Sequence, residues 1–342
     1  MLFRRASVGG QTYVDEEPGE GDVDRGVAKS PASTASASGD VRSSGSEVAI
    51  AITRQEPANP VDVERVQLAG GVLRHFRSTQ LSREIEAAAA DLGSPDRDRH
   101  GQYWTTLALC HTVLAGVDPK TGMLEYKAQS PDEAALVQAA ADVGFEFRGR
   151  DRDVLLLRTP FAREHLRFRL LNILEFTSTR KRMSVIVRQL GENDEPGNNP
   201  ILLLCKGADN VIFERLAEGG DELKTVTGDQ LDLFAREGLR TLTLAHRIIP
   251  EVEYNSWVER YRNALASVED RDAEIERVSD EAERQMLLLG ATAIEDKLQD
   301  GVPEAIADLK KAGIKIWVLT GDKLETAIGV FSNSHHRLAN SY

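Results

Sequence analysis

The chain has 342 residues, with 42 Lys and Arg against 55 Asp and Glu and a net charge of −13, which argues against nucleic acid as a partner because phosphates need clustered cations. Its two cysteines, Cys110 and Cys205, are too few for a disulfide or zinc framework and read as reduced, buried thiols. At 41% hydrophobic residues it can bury a core and make two domains, and no stretch approaches the roughly 20 apolar residues of a membrane span, so the chain alone reads as soluble.

In chain order, Met1–Val14 suits a strand or edge segment. From Asp15 to Pro60 the composition turns to Ser, Ala, Gly, Pro and Glu, which cannot bury enough apolar area to offset ordering entropy, so a disordered insertion is expected. Helical patterns follow at Leu81–Leu92 and Trp104–Val113, then a turn over Gly116–Gly122 and a strand at Leu124–Lys127. Ser130-Pro131-Asp132-Glu133 opens a helix running to about Val143. Strand patterns occupy Val154–Arg158, Phe168–Leu174, Met183–Arg188 and Ile201–Cys205, with the polar stretch Gln189–Pro200 suited to a long hairpin loop. Short helices are expected at Asp209–Leu216 and Leu231–Glu237, a strand at Leu242–Arg247, and a long charged helix, broken once, over Trp257–Gln285. Strands at Leu287–Ala293 and Ile314–Leu319 alternate with helices at Val302–Ala312 and from Thr326 onward. The middle therefore reads as an α+β module with a largely antiparallel sheet, and the end as a piece of a parallel α/β domain.

Five segments have the residue types of a phosphate or nucleotide site, and the first four also have a plainer explanation. In Ser130-Pro131-Asp132-Glu133, Ser130 fits an N-cap, Pro131 the first helical position and Glu133 the reciprocal capping-box carboxylate. Alternatively Glu133 offers its carboxylate to a ligand amine. Phe176 in Glu175–Ser184 is either a core residue beside a solvated basic turn or an aromatic face for a purine, with Lys181 nearby for phosphate charge. Lys206-Gly207-Ala208-Asp209 ends an apolar strand, so it is either a strand-to-helix turn capped by Asp209 or a pocket wall where Gly207 admits a ligand. Arg240 in Gly238–Leu242 is a surface charge or a phosphate clamp. Thr320-Gly321-Asp322 follows an apolar run and precedes a helix, which is a phosphate-loop context. No Walker A pattern, Rossmann glycine fingerprint, zinc spacing or G-x-S-x-G elbow occurs.

Taken together and in order, these segments resemble P-type ATPases, most closely the phospholipid-translocating (flippase, type IV) subfamily. The resemblance rests on Gln129–Leu136 (QSPDEAAL), Phe176–Val187 (FTSTRKRMSVIV), Lys206–Asp209 (KGAD), Gly238–Leu242 (GLRTL), Gly290–Gln299 (GATAIEDKLQ) and Leu319–Ala327 (LTGDKLETA), and it covers most of residues 61–329. It implies an α+β nucleotide-binding domain over 61–286 with a largely antiparallel sheet. It further implies a truncated α/β haloacid dehalogenase-like phosphorylation domain over 287–329, with 330–342 as a tail outside the family. Met1–Val14 would follow the family's phosphorylation loop. By the same resemblance Glu133 and Phe176 would hold adenine, flanked by Ser178 and Lys181. Lys206 would line the pocket, and Arg240 and Thr241 would approach the phosphates. Thr320, Gly321 and Asp322 would face the transferred phosphoryl group, and Asp296 would sit near the hinge between domains.

The resemblance implies ATP and Mg2+ as cofactors, a phospholipid as the substrate of the full-length protein, an accessory membrane subunit, and a cytosolic position for these domains on a membrane protein. The family's nucleophile lies in an Asp-Lys-Thr-Gly-Thr loop and its magnesium site in a Gly-Asp-Gly-x-Asn-Asp segment, and neither occurs in this sequence. The chain is accordingly read as a fragment that binds ATP without turnover, with its tail from a wrong frame or an intron. A stand-alone nucleotide-binding or regulatory module is the alternative. A haloacid dehalogenase-like phosphatase would need an N-terminal Asp-x-Asp loop after a strand, whereas Asp22-Val23-Asp24 sits in the Gly- and Glu-rich stretch.

Overall fold

The computed structural model describes residues 1–16, 76–117, 124–191, 199–296 and 301–317. Its centre is a nine-stranded sheet in the order β2-β1-β11-β10-β9-β8-β7-β6-β5. The strands are β1 (Leu2–Val8), β2 (Gln11–Val14), β5 (Glu146–Asp151), β6 (Val154–Arg158), β7 (Leu166–Leu174), β8 (Arg182–Gln189), β9 (Ile201–Gly207), β10 (Arg240–Ile249) and β11 (Leu287–Glu295). Every neighbouring pair in this sheet is antiparallel. A small hairpin of β3 (Leu114–Val117) and β4 (Leu124–Lys127) stands apart. The largely antiparallel sheet expected from sequence is therefore present.

The period-2 alternation of the central strands divides the core into two layers. On β8, Met183, Val185 and Val187 join Leu204 of β9 and Leu244 of β10 on one face. That face is covered by α1 (Thr79–Ala90), α2 (Pro95–Leu109) and α3 (Pro131–Asp142), which contribute Leu81, Ile85, Trp104, Leu107, Leu136 and Val137. The opposite face carries Ile186, Leu203, Cys205 and Ala245, packed against Ile212 of α4 (Asp209–Phe213) and Trp257, Tyr261 and Val278 of α6 (Glu251–Ala266) and α7 (Arg271–Ala282). Both cysteines are buried free thiols, one in each layer. The long charged stretch is broken once, at 267–270, and its two helices are joined by the Trp257 indole donating to the Val278 carbonyl at 2.8 Å. Helix α5 (Asp221–Arg236) begins well before the expected Leu231 and packs Phe234 against Leu239 and Ala293.

Further elements differ from the sequence reading: α2 begins nine residues before the expected Trp104, and β3 forms at Leu114–Val117, overlapping the expected turn. Strand β11 forms where expected, but it lies in the antiparallel sheet between β1 and β10. From Leu289 to Ile294 every residue is buried, and an apolar run of this kind suits a central antiparallel strand as well as a parallel one. After helix α8 (Val302–Lys311), residues 314–317 form no strand, and Ile314, Ile316 and Trp317 are exposed. Strand β5 was missed because its polar sequence, Glu-Phe-Arg-Gly-Arg-Asp, lacks the β-branched residues that signal strands. Of the expected insertion, Asp15 and Glu16 are ordered: Arg4 pairs with Asp15 at 2.8 Å and Thr79 donates to Glu16. Its remainder lies outside the described residues.

Gly290 shows how tightly β1 and β11 fit. Its φ is +142°, and a Cβ placed there would sit 1.9 Å from the Ser7 carbonyl oxygen. Gly290→Ala therefore has to push two central strands apart. The expected cost is at least about 2 kcal/mol in urea unfolding, and a midpoint equal to wild type would show that the sheet accommodates the methyl group.

Candidate functional site

The site is built on the edge where β8, β9 and β10 end, and strand parity decides what faces it. Lys206 pairs with Met183 on β8 and Leu244 on β10, so it shares the face covered by α2 and α3. There, largely buried, its ammonium donates to Glu133 at 2.7 Å. Glu133 stands in the first turn of α3. Its other oxygen accepts from the Thr112 hydroxyl at 2.7 Å and the Thr112 amide at 3.3 Å. Burial pushes the Glu133 carboxyl upward, but the Lys206 charge, with hydrogen bonds from Lys206 and Thr112, outweighs it and holds the group below the ordinary range.

This arrangement corrects the capping-box reading of Ser130–Glu133. Pro131 does occupy the first helical turn, but Ser130 makes no side-chain cap. Glu133 turns to Thr112 and Lys206 instead. The neighbouring Asp132 reaches Arg240 at 3.3 Å, and Arg240 also meets Asp296 at 3.4 Å. Thr241 follows on β10, opposite Ala293 of β11, and is half-buried. Residues from motifs 73 and 108 positions apart thus converge on the start of one helix.

The basic loop lies against the same strand ends. Phe176 is 62% exposed and is not a core residue, which removes the plainer explanation for it. Ser178 and Lys181 are also exposed. The loop closes as a turn, with the Lys181 amide donating to the Thr177 carbonyl at 2.8 Å and the Arg180 amide to the Thr177 hydroxyl at 3.1 Å. Lys181 has φ +50°, a left-handed conformation that a lysine keeps only when its surroundings fix it. One such constraint is the Ala208 amide, which donates to the Lys181 carbonyl at 3.0 Å. Gly207 is required here for a different reason from the one expected. A Cβ on it would lie 2.5 Å from the Arg182 Cβ and 2.8 Å from the Lys181 carbonyl oxygen, so its bareness admits strand β8. Asp209 does begin α4, but the preceding residue makes no side-chain cap.

Thr320, Gly321 and Asp322 lie outside the described residues; the structure brings together Glu133, Lys206 and Arg240, with the Phe176–Lys181 loop adjoining them through Lys181 and Ala208, whereas Thr241, next to Arg240 on β10, points to the opposite face of the sheet from Lys206. Sequence reasoning missed Thr112, which precedes β3 with nothing local to mark it. It also missed Glu283, described below. Among the described residues no group of three or more His, Cys, Asp or Glu side chains could hold a metal ion. A charged cleft of about 580 Å³, lined by Arg215, Arg247, Glu253, Asp280 and Arg284, includes none of the residues expected from sequence.

A model of the family described as P-type ATPase, cytoplasmic domain N, matches residues 101–301. Among curated proteins, Phospholipid-transporting ATPase 6 of Arabidopsis thaliana is 47% identical over 244 residues, covering 70% of this chain and 19% of its own length. Phospholipid-transporting ATPase dnf2 of Schizosaccharomyces pombe is 50% identical over 230 residues, 67% of this chain and 16% of its own. Phospholipid-transporting ATPase DNF1 of Saccharomyces cerevisiae is 46% identical over 261 residues, 75% of this chain and 16% of its own. The chain spans less than a fifth of the length of these relatives. No helix among the described residues is long and apolar enough to cross a membrane.

His111, buried beside this cluster, gives the fold a pH dependence. Burial, reinforced by the Lys206 ammonium, lowers its pKa from 6.5 to about 4. The unfolded chain therefore takes up a proton below pH 6.5 that the folded chain refuses until about pH 4. Stability is fully present above that window and falls as pH drops through it, by about 1.4 kcal/mol per unit for one proton. His100 and His246, whose pKa values are also lowered by burial, act in the same direction. Urea unfolding at pH 7.5 and 5.5 should show the loss, and His111→Gln should reduce the slope by about one proton. An unchanged slope in that variant would assign the dependence to other groups.

Proposed function

This chain belongs to the P-type ATPases, and from that membership we propose that it is the ATP-binding part of a phospholipid-transporting member. The observation that carries the reading is the convergence of Glu133, Lys206 and Arg240 at the strand ends, beside an aromatic ring left standing in solvent. Nucleotides need these elements together: an apolar face for the base, an acceptor for its amine, and cations for the phosphates. Phe176 supplies the face, and Ser178 and Lys181 flank the ring. Glu133 supplies the acceptor, since the oxygen that Lys206 engages can take one further hydrogen bond, while the other already accepts two from Thr112. Lys206 and Arg240 supply positive charge.

The ion pairs of Lys206 and Arg240 fit this use. Lys206 and Arg240 are held against carboxylates, so both are oriented before a phosphate arrives. Preorganised charges stabilise a bound anion without the cost of reordering flexible side chains. Mg2+ would arrive on the ATP phosphates or be held by residues other than those described.

In the full-length protein, the γ-phosphoryl group of ATP would pass to an aspartate of a haloacid dehalogenase-like phosphorylation domain. Thr320, Gly321 and Asp322 belong to that domain on this reading. Formation and hydrolysis of the aspartyl phosphate would drive movement of a phospholipid between bilayer leaflets, with an accessory membrane subunit as partner. This chain contains no Asp-Lys-Thr-Gly-Thr sequence, so by itself it binds ATP without turnover.

Calorimetric titration with ATP tests the assignments. Phe176→Ala and Arg240→Ala should each weaken binding about tenfold, roughly 1.4 kcal/mol, with circular dichroism unchanged. Unaltered affinity in both variants would remove these residues from the site. Phosphate release above background that disappears in Lys206→Ala would contradict the absence of turnover.

A further inference from the structure

The face of β8 opposite Lys206 holds a charged cluster centred on Glu283, a residue outside every motif named above. Glu283, immediately after α7, is completely buried. One oxygen takes hydrogen bonds from the Arg180 guanidinium and, at 2.6 Å, from the Ser184 hydroxyl. The other accepts from Arg182 Nε at 2.7 Å. Arg180 and Arg182 are themselves only 5% and 3% exposed. Arg182 continues to Asp280 at 3.0 Å and to the Arg180 carbonyl at 3.1 Å. Arg180 turns its other arm to the Glu175 carbonyl at 2.6 Å.

That last bond gives the cluster its meaning. Glu175 immediately precedes Phe176, and Arg180 closes the turn that follows it. Arg180 therefore fastens both ends of the loop to one carboxylate, which the chain reaches 103 residues later. The loop's outward residues, Phe176, Ser178 and Lys181, are exposed, while its underside is charged and buried. Stability alone is a poor explanation, because apolar packing usually serves as well as a buried ion pair. An ionic clamp adds direction: hydrogen bonds to a planar guanidinium fix where the loop stands.

We propose that Glu283 is a positioning residue for the nucleotide. Through Arg180 it holds the Phe176 loop where the exposed ring can receive the base. Glu283 itself touches no ligand. The inference rests on the nucleotide reading of Phe176.

The test is a double-mutant cycle on this chain, with ATP as probe in calorimetric titration. Glu283→Gln keeps shape but loses charge and should weaken ATP binding by about tenfold, beyond any fall in melting temperature. In the Phe176→Ala background the same change should cost nothing more, because the ring it positions is gone. A folded Glu283→Gln with wild-type affinity overturns the proposal, as do losses that simply add. If Phe176→Ala alone leaves affinity unchanged, the nucleotide reading of the loop fails and the proposal falls with it. If Phe176→Ala weakens binding and Glu283→Gln does not, only the proposal fails. Should Glu283→Gln not fold, Arg180→Lys replaces it in the same cycle. Lysine keeps a cation on Glu283 but cannot also reach the Glu175 carbonyl, so the same outcomes decide.

Discussion

A fully buried carboxylate, Glu283, holds two buried arginines, Arg180 at the end of the Phe176 loop and Arg182 at the start of β8. Two guanidinium groups on adjacent stretches of backbone would repel each other in a dry interior without a shared anion. With it, they tie β8, the turn before it and the end of α7 into one unit. Asp280 extends the unit by accepting from Arg182 and, at 2.7 Å, from Arg215. The loop can then carry an exposed aromatic ring and a left-handed lysine without collapsing onto the sheet.

Strand parity makes the two sides of this arrangement compatible. Arg182 and Ser184 point to α7, and Met183 between them points to α2 and α3, where Lys206 of the neighbouring strand meets Glu133. A register slip of one residue would exchange the faces and place Lys206 among the apolar side chains beneath α6 and α7. Gly207 fixes the register at the point where it matters. Any side chain there would collide with Arg182, so β8 and β9 approach closely only in this alignment. The helix-side ion pair and the loop clamp are consequences of one strand pairing read from its two faces.

Much of this was legible beforehand, for identifiable reasons. Strands β4 and β6 and the helix opened by Pro131 follow local rules: alternation, apolar runs and a proline at the first turn. The broken helix over Trp257–Gln285 was readable because the break falls in a charged stretch with no apolar periodicity. Strand β5, with its charged and glycine-bearing sequence, was not readable, because its place comes from pairing with β6. The partnership of Glu133 was not readable either. Ser130–Glu133 satisfies the capping-box pattern, and a local pattern cannot reveal that a lysine 73 residues away and a threonine on another segment will claim the carboxylate.

The sequence by itself determined the family, the α+β character of the middle and the residue types available to a nucleotide, since these reside in contiguous motifs and short-range periodicity. Tertiary structure alone decided that Leu287–Glu295 completes an antiparallel sheet, that Phe176 stands in solvent, that Gly207 serves strand packing, and that Glu283 governs the loop. The physical reason is common to all four. Each depends on which distant segment supplies the neighbour, and hydrogen-bond partners, burial and steric room are properties of that neighbour as much as of the residue itself.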